Sequence, residues 1–162
     1  FNCIDAFKKE IKIIDKAILN AVAGLNPNAY TILNSIDGIG PVFASGIIAE
    51  IGDITAFYSQ DALAKYAGLT WTKSQSGDFE ADESRMTKAG NRYLRYYLGE
   101  AANSMKNHVP EYRDFYNKKC NEVPKHKHKR ALALTSRKLV RLIFGLLSKE
   151  KLYSTDRADA LS

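Results

Sequence analysis

The stretch Leu33-Asn34-Ser35-Ile36-Asp37-Gly38-Ile39-Gly40-Pro41-Val42-Phe43-Ala44-Ser45-Gly46-Ile47-Ile48-Ala49-Glu50 sets one aliphatic residue between two glycines and flanks the trio with apolar helical spacing. Ala44, Ile47, Ile48 and Ile51 recur at intervals of three and four, Leu33 and Ile36 do the same upstream, and Pro41 suits a first helical position. Gly38 and Gly40 can take positive φ and allow close backbone approach, while Ile39 between them is expected to plug into the core. This is the pattern of a helix-hairpin-helix. The amides of Gly38, Ile39 and Gly40, with the first amides of the second helix, would point outward and suit a phosphate oxygen without reading a base. A plain tight turn between packed helices fits the same letters, because Gly-x-Gly alone is weak evidence.

Around this centre the chain reads as helical throughout. Ile4, Phe7, Ile11, Ile14, Ile18, Ala21 and Leu25 keep one apolar seam at alternating spacings of three and four, and Gly24, Asn26 and Pro27 end that helix. Two readings of the seam stay open: a coiled coil that makes the chain a homo-oligomer, or an amphipathic helix packed on its own domain. Ser59 caps a further helix over residues 60–67, stopped by Gly68. Residues 69–86 are polar and aperiodic and read as a loop of the length that usually carries function. Helical patterning resumes from Thr87 to about Lys106, again around His108 to Tyr116 behind Pro110, and from Ala131 to Lys149, with a frayed tail from Ser154. No strand pattern stands out. The expected fold is all-α: a helical bundle over residues 27–153 containing a helix-hairpin-helix, preceded by a coiled-coil-like helix over 1–26, with 154–162 as the tail.

At 162 residues and 45% hydrophobic, the chain can bury one sizeable core. Its formal charge of +6 is unevenly placed: residues 1–83 hold 6 basic against 11 acidic side chains, and residues 84–162 hold 18 against 7. The second half is therefore the candidate polyanion surface, with nucleic acid the expected polyanion. Cys3 and Cys120 make no disulfide framework, and no leading stretch has signal-peptide layout, which together point to a reducing, cytoplasmic setting. The longest apolar run, Leu139 to Leu147, is broken by Arg141 and is too short to span a bilayer, so no membrane role is expected. The chain starts inside a helical pattern and without Met, which predicts a piece of a longer protein.

Few residues suggest chemistry. Cys120, His126 and His128 lie among lysines, where a solvated basic loop is the better reading than a zinc site, and no metal is expected there. Asp78, Glu80, Asp82 and Glu83 are dense within a loop and read as solvated rather than as a tuned acid/base pair. Lys88, Asn91, Arg92 and Arg95 are expected on one helix face able to grip consecutive phosphates, with Tyr93, Leu94, Tyr97 and Leu98 as core. Arg130, Arg137, Lys138 and Arg141 form a second basic face opposite Leu134, Leu139, Leu142, Ile143 and Leu146. Solvated faces fit either helix taken alone; with the hairpin, a DNA-backbone clamp fits both, and its affinity would be strongly salt-dependent.

The ordered set Ile36-Asp37-Gly38-Ile39-Gly40-Pro41, Tyr66-Ala67-Gly68-Leu69, Gln75-Ser76-Gly77, Thr87-Lys88-Ala89-Gly90-Asn91-Arg92-Tyr93-Leu94-Arg95 and Ala101-Ala102 resembles the C-terminal domain of insertion-sequence transposases related to the Piv DNA invertase, whose N-terminal domain is an acidic, DEDD resolvase-like one. The resemblance covers roughly Leu33 to Leu147. It implies DNA recombination with Ser76 as the nucleophile, Mg2+ held in the acidic domain upstream and no cofactor in this part, and DNA as partner. In some members of the family a structured guide RNA joins it. The acidic run after Ser76 departs from the family, where basic residues are commoner. Ser74 is the competing hydroxyl. A serine hydroxyl needs a proton acceptor and stabilisation of the developing phosphorane charge, the latter within reach of Lys88, Arg92 and Arg95. The reading from a different class is a non-catalytic helix-hairpin-helix module that binds DNA backbone without sequence specificity.

Overall fold

The structure is a computed structural model that describes residues 2–72, 75–76, 79–80 and 85–154. It is all-α. Helices α1 (Asn2–Leu25), α2 (Pro27–Asn34), α3 (Pro41–Ile51) and α4 (Gln60–Tyr66) precede α5 (Arg92–His108), α6 (Pro110–Asn121) and α7 (Lys127–Lys149), and a 3-10 turn, Ile54–Ala56, links α3 to α4. The helix starts follow from local chemistry. Asn26 Oδ1 accepts from the Ala29 amide at 3.1 Å, Ser59 Oγ from the Ala62 amide at 3.2 Å, and prolines sit in the first turns of α2, α3 and α6.

The core gathers around α5 and α7. Leu94, Leu98 and Met105 of α5 and Leu139, Val140 and Ile143 of α7 are essentially inaccessible, as are Leu33, Ile36, Ile47, Leu63 and Leu69 from the elements laid on them. Helix α6 packs against both long helices and contributes Tyr112 and Tyr116, which the periodicity does not single out. Burial drives the Tyr112 hydroxyl above the usual tyrosine range, with the Glu111 carboxylate adding to it. Burial likewise pushes Tyr116 up to about 12, aided by Cys120 beside it. The chain end is tied in where the Tyr153 amide donates to Ser35 Oγ at 2.9 Å.

Three expectations change. The loop over 69–86 contains two nested antiparallel ladders: Trp71–Thr72 (β1) pairs with Arg85–Met86 (β4), and Gln75–Ser76 (β2) with Phe79–Glu80 (β3). Two-residue strands are too short to show an alternating pattern, and they leave the class all-α. Helix α5 starts at Arg92 rather than Thr87, because Asn91 caps it and Lys88 sits in a left-handed turn at φ 52°. Tyr93 is exposed rather than core, since the buried stripe of α5 runs through Leu94, Leu98, Ala101, Ala102 and Met105. The frayed-tail assignment over 155–162, and Ser74, Gly77, Asp78, Asp82 and Glu83, lie outside the described residues.

Helix α1 keeps its seam open. Among its apolar residues only Val22 is buried; Ile4, Phe7, Ile11, Ile14 and Ile18 face solvent, and so does Leu25 at its end. Packing on its own domain therefore accounts for little of that seam. No described helix is long and apolar enough to cross a membrane.

Candidate nucleic-acid interface

The turn between α2 and α3 is built on one close contact. Gly38 adopts φ +91° and lies on α5 so tightly that a Cβ there would stand 2.9 Å from Met105 Cα and 3.0 Å from its nitrogen. Ile39 is 2% exposed and plugs the core as expected. Gly40 differs from expectation: it is extended at φ −79°, with open space where a Cβ would go, and serves as the N-cap of α3. The Ile39 amide is already committed, donating to the Ile36 carbonyl at 2.9 Å. The first helical bond of α3 runs from the Ala44 amide to Gly40 O, so the amides of Val42 and Phe43 have no acceptor within the helix. Val42 and Phe43 line an open cleft of about 520 Å³ together with Asp37 and, from α5, Ser104 and His108.

A second locus lies at the other end of α5, about 20 Å from Met105 along the helix axis. It is the root of the segment carrying Ser76. Thr70 and Thr87 face each other there, their hydroxyls 3.0 Å apart and the Thr87 amide donating to Thr70 O at 2.8 Å. Arg95 Nη1 donates to Ala67 O and to Lys88 O, both at 3.0 Å, and so joins the backbone just before the segment to the backbone just after it. Arg137 of α7 holds the entering side again, with Nη1 on Leu69 O at 3.1 Å and Nη2 on Asp61 Oδ1 at 2.6 Å. Asn91 caps α5 through Oδ1, accepting from Tyr93 and Leu94 amides at 2.9 and 3.0 Å. Its Nδ2 donates to Glu50 Oε2 at 2.7 Å and to the Tyr66 hydroxyl at 3.2 Å. Gly68 and Gly90, both at positive φ, let the two backbones meet, and the Asn91 amide reaches Tyr66 O at 2.6 Å.

The cations expected at a phosphate backbone thus divide. Arg95 and Arg137, with Asn91, spend their donors inside the protein. Lys138 pairs with Glu111 at 2.8 Å, and Arg130 with Glu122 at 3.2 Å. Lys88, Arg92 and Arg141 are exposed and form no ion pair among the described residues. Arg92 stacks 4.7 Å over the Tyr93 ring and donates to its hydroxyl at 2.7 Å. Lys88 and Arg92 flank the root; Gly38 lies at the other end of α5. Ser76 itself sits in β2 opposite Phe79. Among the described residues no three His, Cys, Asp or Glu side chains converge to hold an ion. Cys120 and His128 have separate partners: Cys120 Sγ donates to Lys127 O at 3.8 Å, and His128 Nδ1 meets the Tyr116 hydroxyl.

The profile of the family described as "Transposase IS116/IS110/IS902 family" matches residues 30–117. The chain is 28% identical over 140 residues to the insertion element IS110 uncharacterized 43.6 kDa protein of Streptomyces coelicolor, covering 86% of this chain and 34% of that protein. It is 28% identical over 123 residues to the insertion element IS116 uncharacterized 44.8 kDa protein of Streptomyces clavuligerus, covering 76% and 30%. It is also 28% identical over 136 residues to the transposase for insertion sequence element IS1111A of Coxiella burnetii, covering 83% and 37%. The chain spans about a third of the length of these curated relatives.

Proposed function

The chain belongs to the transposase IS116/IS110/IS902 family, and on that premise we propose that it is the DNA-engaging, serine-bearing part of a longer transposase. The observation that carries the reading is the doubly clasped root: two arginines and an asparagine from α5 and α7 are spent on fixing where a short segment leaves and rejoins the bundle. A solvated loop has no need of such an anchor, whereas a nucleophile must be held in place against its target.

In this reading Ser76 Oγ attacks a DNA phosphorus. The new O–P bond forms as the bond from phosphorus to one deoxyribose oxygen breaks, leaving a phosphoserine; the serine proton passes to a base from another part of the protein, and the departing sugar oxygen takes up a proton. Lys88 and Arg92, beside the root and without an ion pair among the described residues, neutralise charge on the phosphoryl oxygens. The α2–turn–α3 unit acts as a helix-hairpin-helix that seats the backbone through the Val42 and Phe43 amides, and Arg141 adds sequence-independent attraction. Mg2+ belongs to an acidic domain elsewhere in the protein, and no step here runs through it. The open seam of α1 pairs with that of a second copy, giving a homo-oligomer.

A DNA substrate with a nick that traps the intermediate should yield a covalent protein–DNA adduct mapping to Ser76 in the full-length protein, and Ser76→Ala should abolish both adduct and recombination. Recombination at the parental rate by Ser76→Ala, or an adduct mapping to Ser74, overturns the assignment. Retained DNA binding with no adduct on any serine would leave a backbone-binding module.

A further inference from the structure

Four tyrosines, two from residues 58–66 and two from the first turns of α5, face solvent: Tyr58 at 90% exposure, Tyr66 at 42%, Tyr93 at 54% and Tyr96 at 60%. Tyr93 and Tyr96 are three residues apart on α5 and so share a face of that helix. Tyr66 is joined to the same end of α5, through its hydroxyl on Asn91 and its carbonyl on the Asn91 amide. Tyr58 follows Phe57, whose ring lies 5.3 Å from that of Tyr66. Arg92 already covers part of Tyr93, with its guanidinium stacked on the ring. Large aromatic rings are seldom left in water together, and none of these four belongs to the core.

Among the described residues, Lys65, Lys88 and Arg92 are exposed in these segments, Glu50 receives the Asn91 side chain and Asp61 that of Arg137, and Glu100 lies one turn beyond Tyr96. Rings to stack on, interleaved with cations for phosphates, form the chemistry that holds unpaired nucleotides. A duplex hides the faces of its bases inside the stack, so the rings have nothing to gain from it.

We propose that these rings and cations form a stacking platform for single-stranded DNA, which receives nucleotides unpaired beside the root of the serine-bearing segment. The choice of DNA rests on the transposase reading above; the platform itself rests on the aromatic and basic surface. The test is fluorescence anisotropy of the chain with labelled oligo-dT of about a dozen nucleotides, the matching oligo-rU, and a duplex of equal length. Tyr93→Ala combined with Tyr96→Ala should weaken oligo-dT binding by about tenfold or more and leave duplex binding within about twofold. The corresponding Phe pair should bind like the parent, since stacking needs the ring and not the hydroxyl. Both positions are exposed, so far-UV circular dichroism should be the same for all three proteins.

An unchanged oligo-dT affinity in the Ala pair overturns the platform, as does an equal loss for oligo-dT and duplex. Parental oligo-rU binding about tenfold tighter than oligo-dT overturns the assignment to DNA. The outcome is independent of Ser76: if Ser76→Ala recombines normally while the Ala pair loses oligo-dT, the nucleophile falls and the platform stands.

Discussion

Replacing Gly38 with Ala adds a single methyl group where the α2–α3 turn meets α5. The neighbours it meets are backbone atoms: Met105 Cα at 2.9 Å, Met105 N at 3.0 Å and Ser104 C at 3.2 Å. A flexible side chain could rotate away; these atoms are locked in a helix, so the turn itself must lift. The φ of +91° adds a conformational penalty for any residue with a Cβ. Left-handed backbone costs about 1–2 kcal/mol and overpacking about 1–3 kcal/mol, so the substitution should cost about 2–5 kcal/mol. With a urea dependence of about 2 kcal/mol per molar, the unfolding midpoint should fall by about 1–2.5 M at unchanged slope. Gly40→Ala is the control: its φ of −79° suits Ala and its Cβ would find open space, so only the weaker N-cap propensity is lost, about 1 kcal/mol or less. Urea unfolding followed by far-UV circular dichroism distinguishes the two. Equal midpoints for Gly38→Ala and Gly40→Ala would refute the claim that the turn is fixed by contact with Met105.

Arg92→Ala should leave stability unchanged and lower the slope of log affinity for DNA against log salt by about 0.9, one phosphate contact, whereas Arg137→Ala should lose about 1–3 kcal/mol of stability because the Leu69 carbonyl is left without its donor; salt titrations and thermal melts of the two variants check this. Ser45 is 1% exposed and its hydroxyl has no hydrogen-bond partner among the described residues, so Ser45→Ala should be neutral or stabilising by up to about 1 kcal/mol in a thermal melt. The Glu122 carboxyl is held below its ordinary range of 4.5, first by the Lys119 hydrogen bond and then by Arg130. Its contribution is therefore present above that value and lost as pH falls through the depressed one, so Glu122→Gln should be less stable than the parent at neutral pH and converge with it in acid, measured by melts across the pH range.

Helix periodicity was legible because it depends on residues three and four apart, and the seven helices of the described residues follow that spacing apart from the start of α5. The plug at Ile39 was legible for the same reason: two glycines around one aliphatic residue leave few alternatives. The roles of Arg95 and Arg137 were not, because a guanidinium on a helix face reads identically whether it meets a phosphate or a carbonyl; here the carbonyls belong to Ala67 and Leu69, 28 and 68 residues away. Asn91 carried a readable signal, a cap residue directly before a helical run, which assignment to phosphate binding obscured. Tyr93 was misread because it neighbours Leu94 in a run where only one side of α5 meets the bundle. The exposed tyrosines, taken singly, look like core residues, and only the hydrogen bonds from Asn91 to Tyr66 show that the end of α4 meets the start of α5.

Helix α3 begins at the turn that rests on Met105 and ends one residue beyond Glu50, whose carboxylate receives the Asn91 side chain. The helix thus works as a strut about 14 Å long between the cleft at Gly40 and the root of the serine-bearing segment. A rigid-body tilt of α3 at the turn would therefore be carried to the hydrogen bond between Glu50 and Asn91 at its other end.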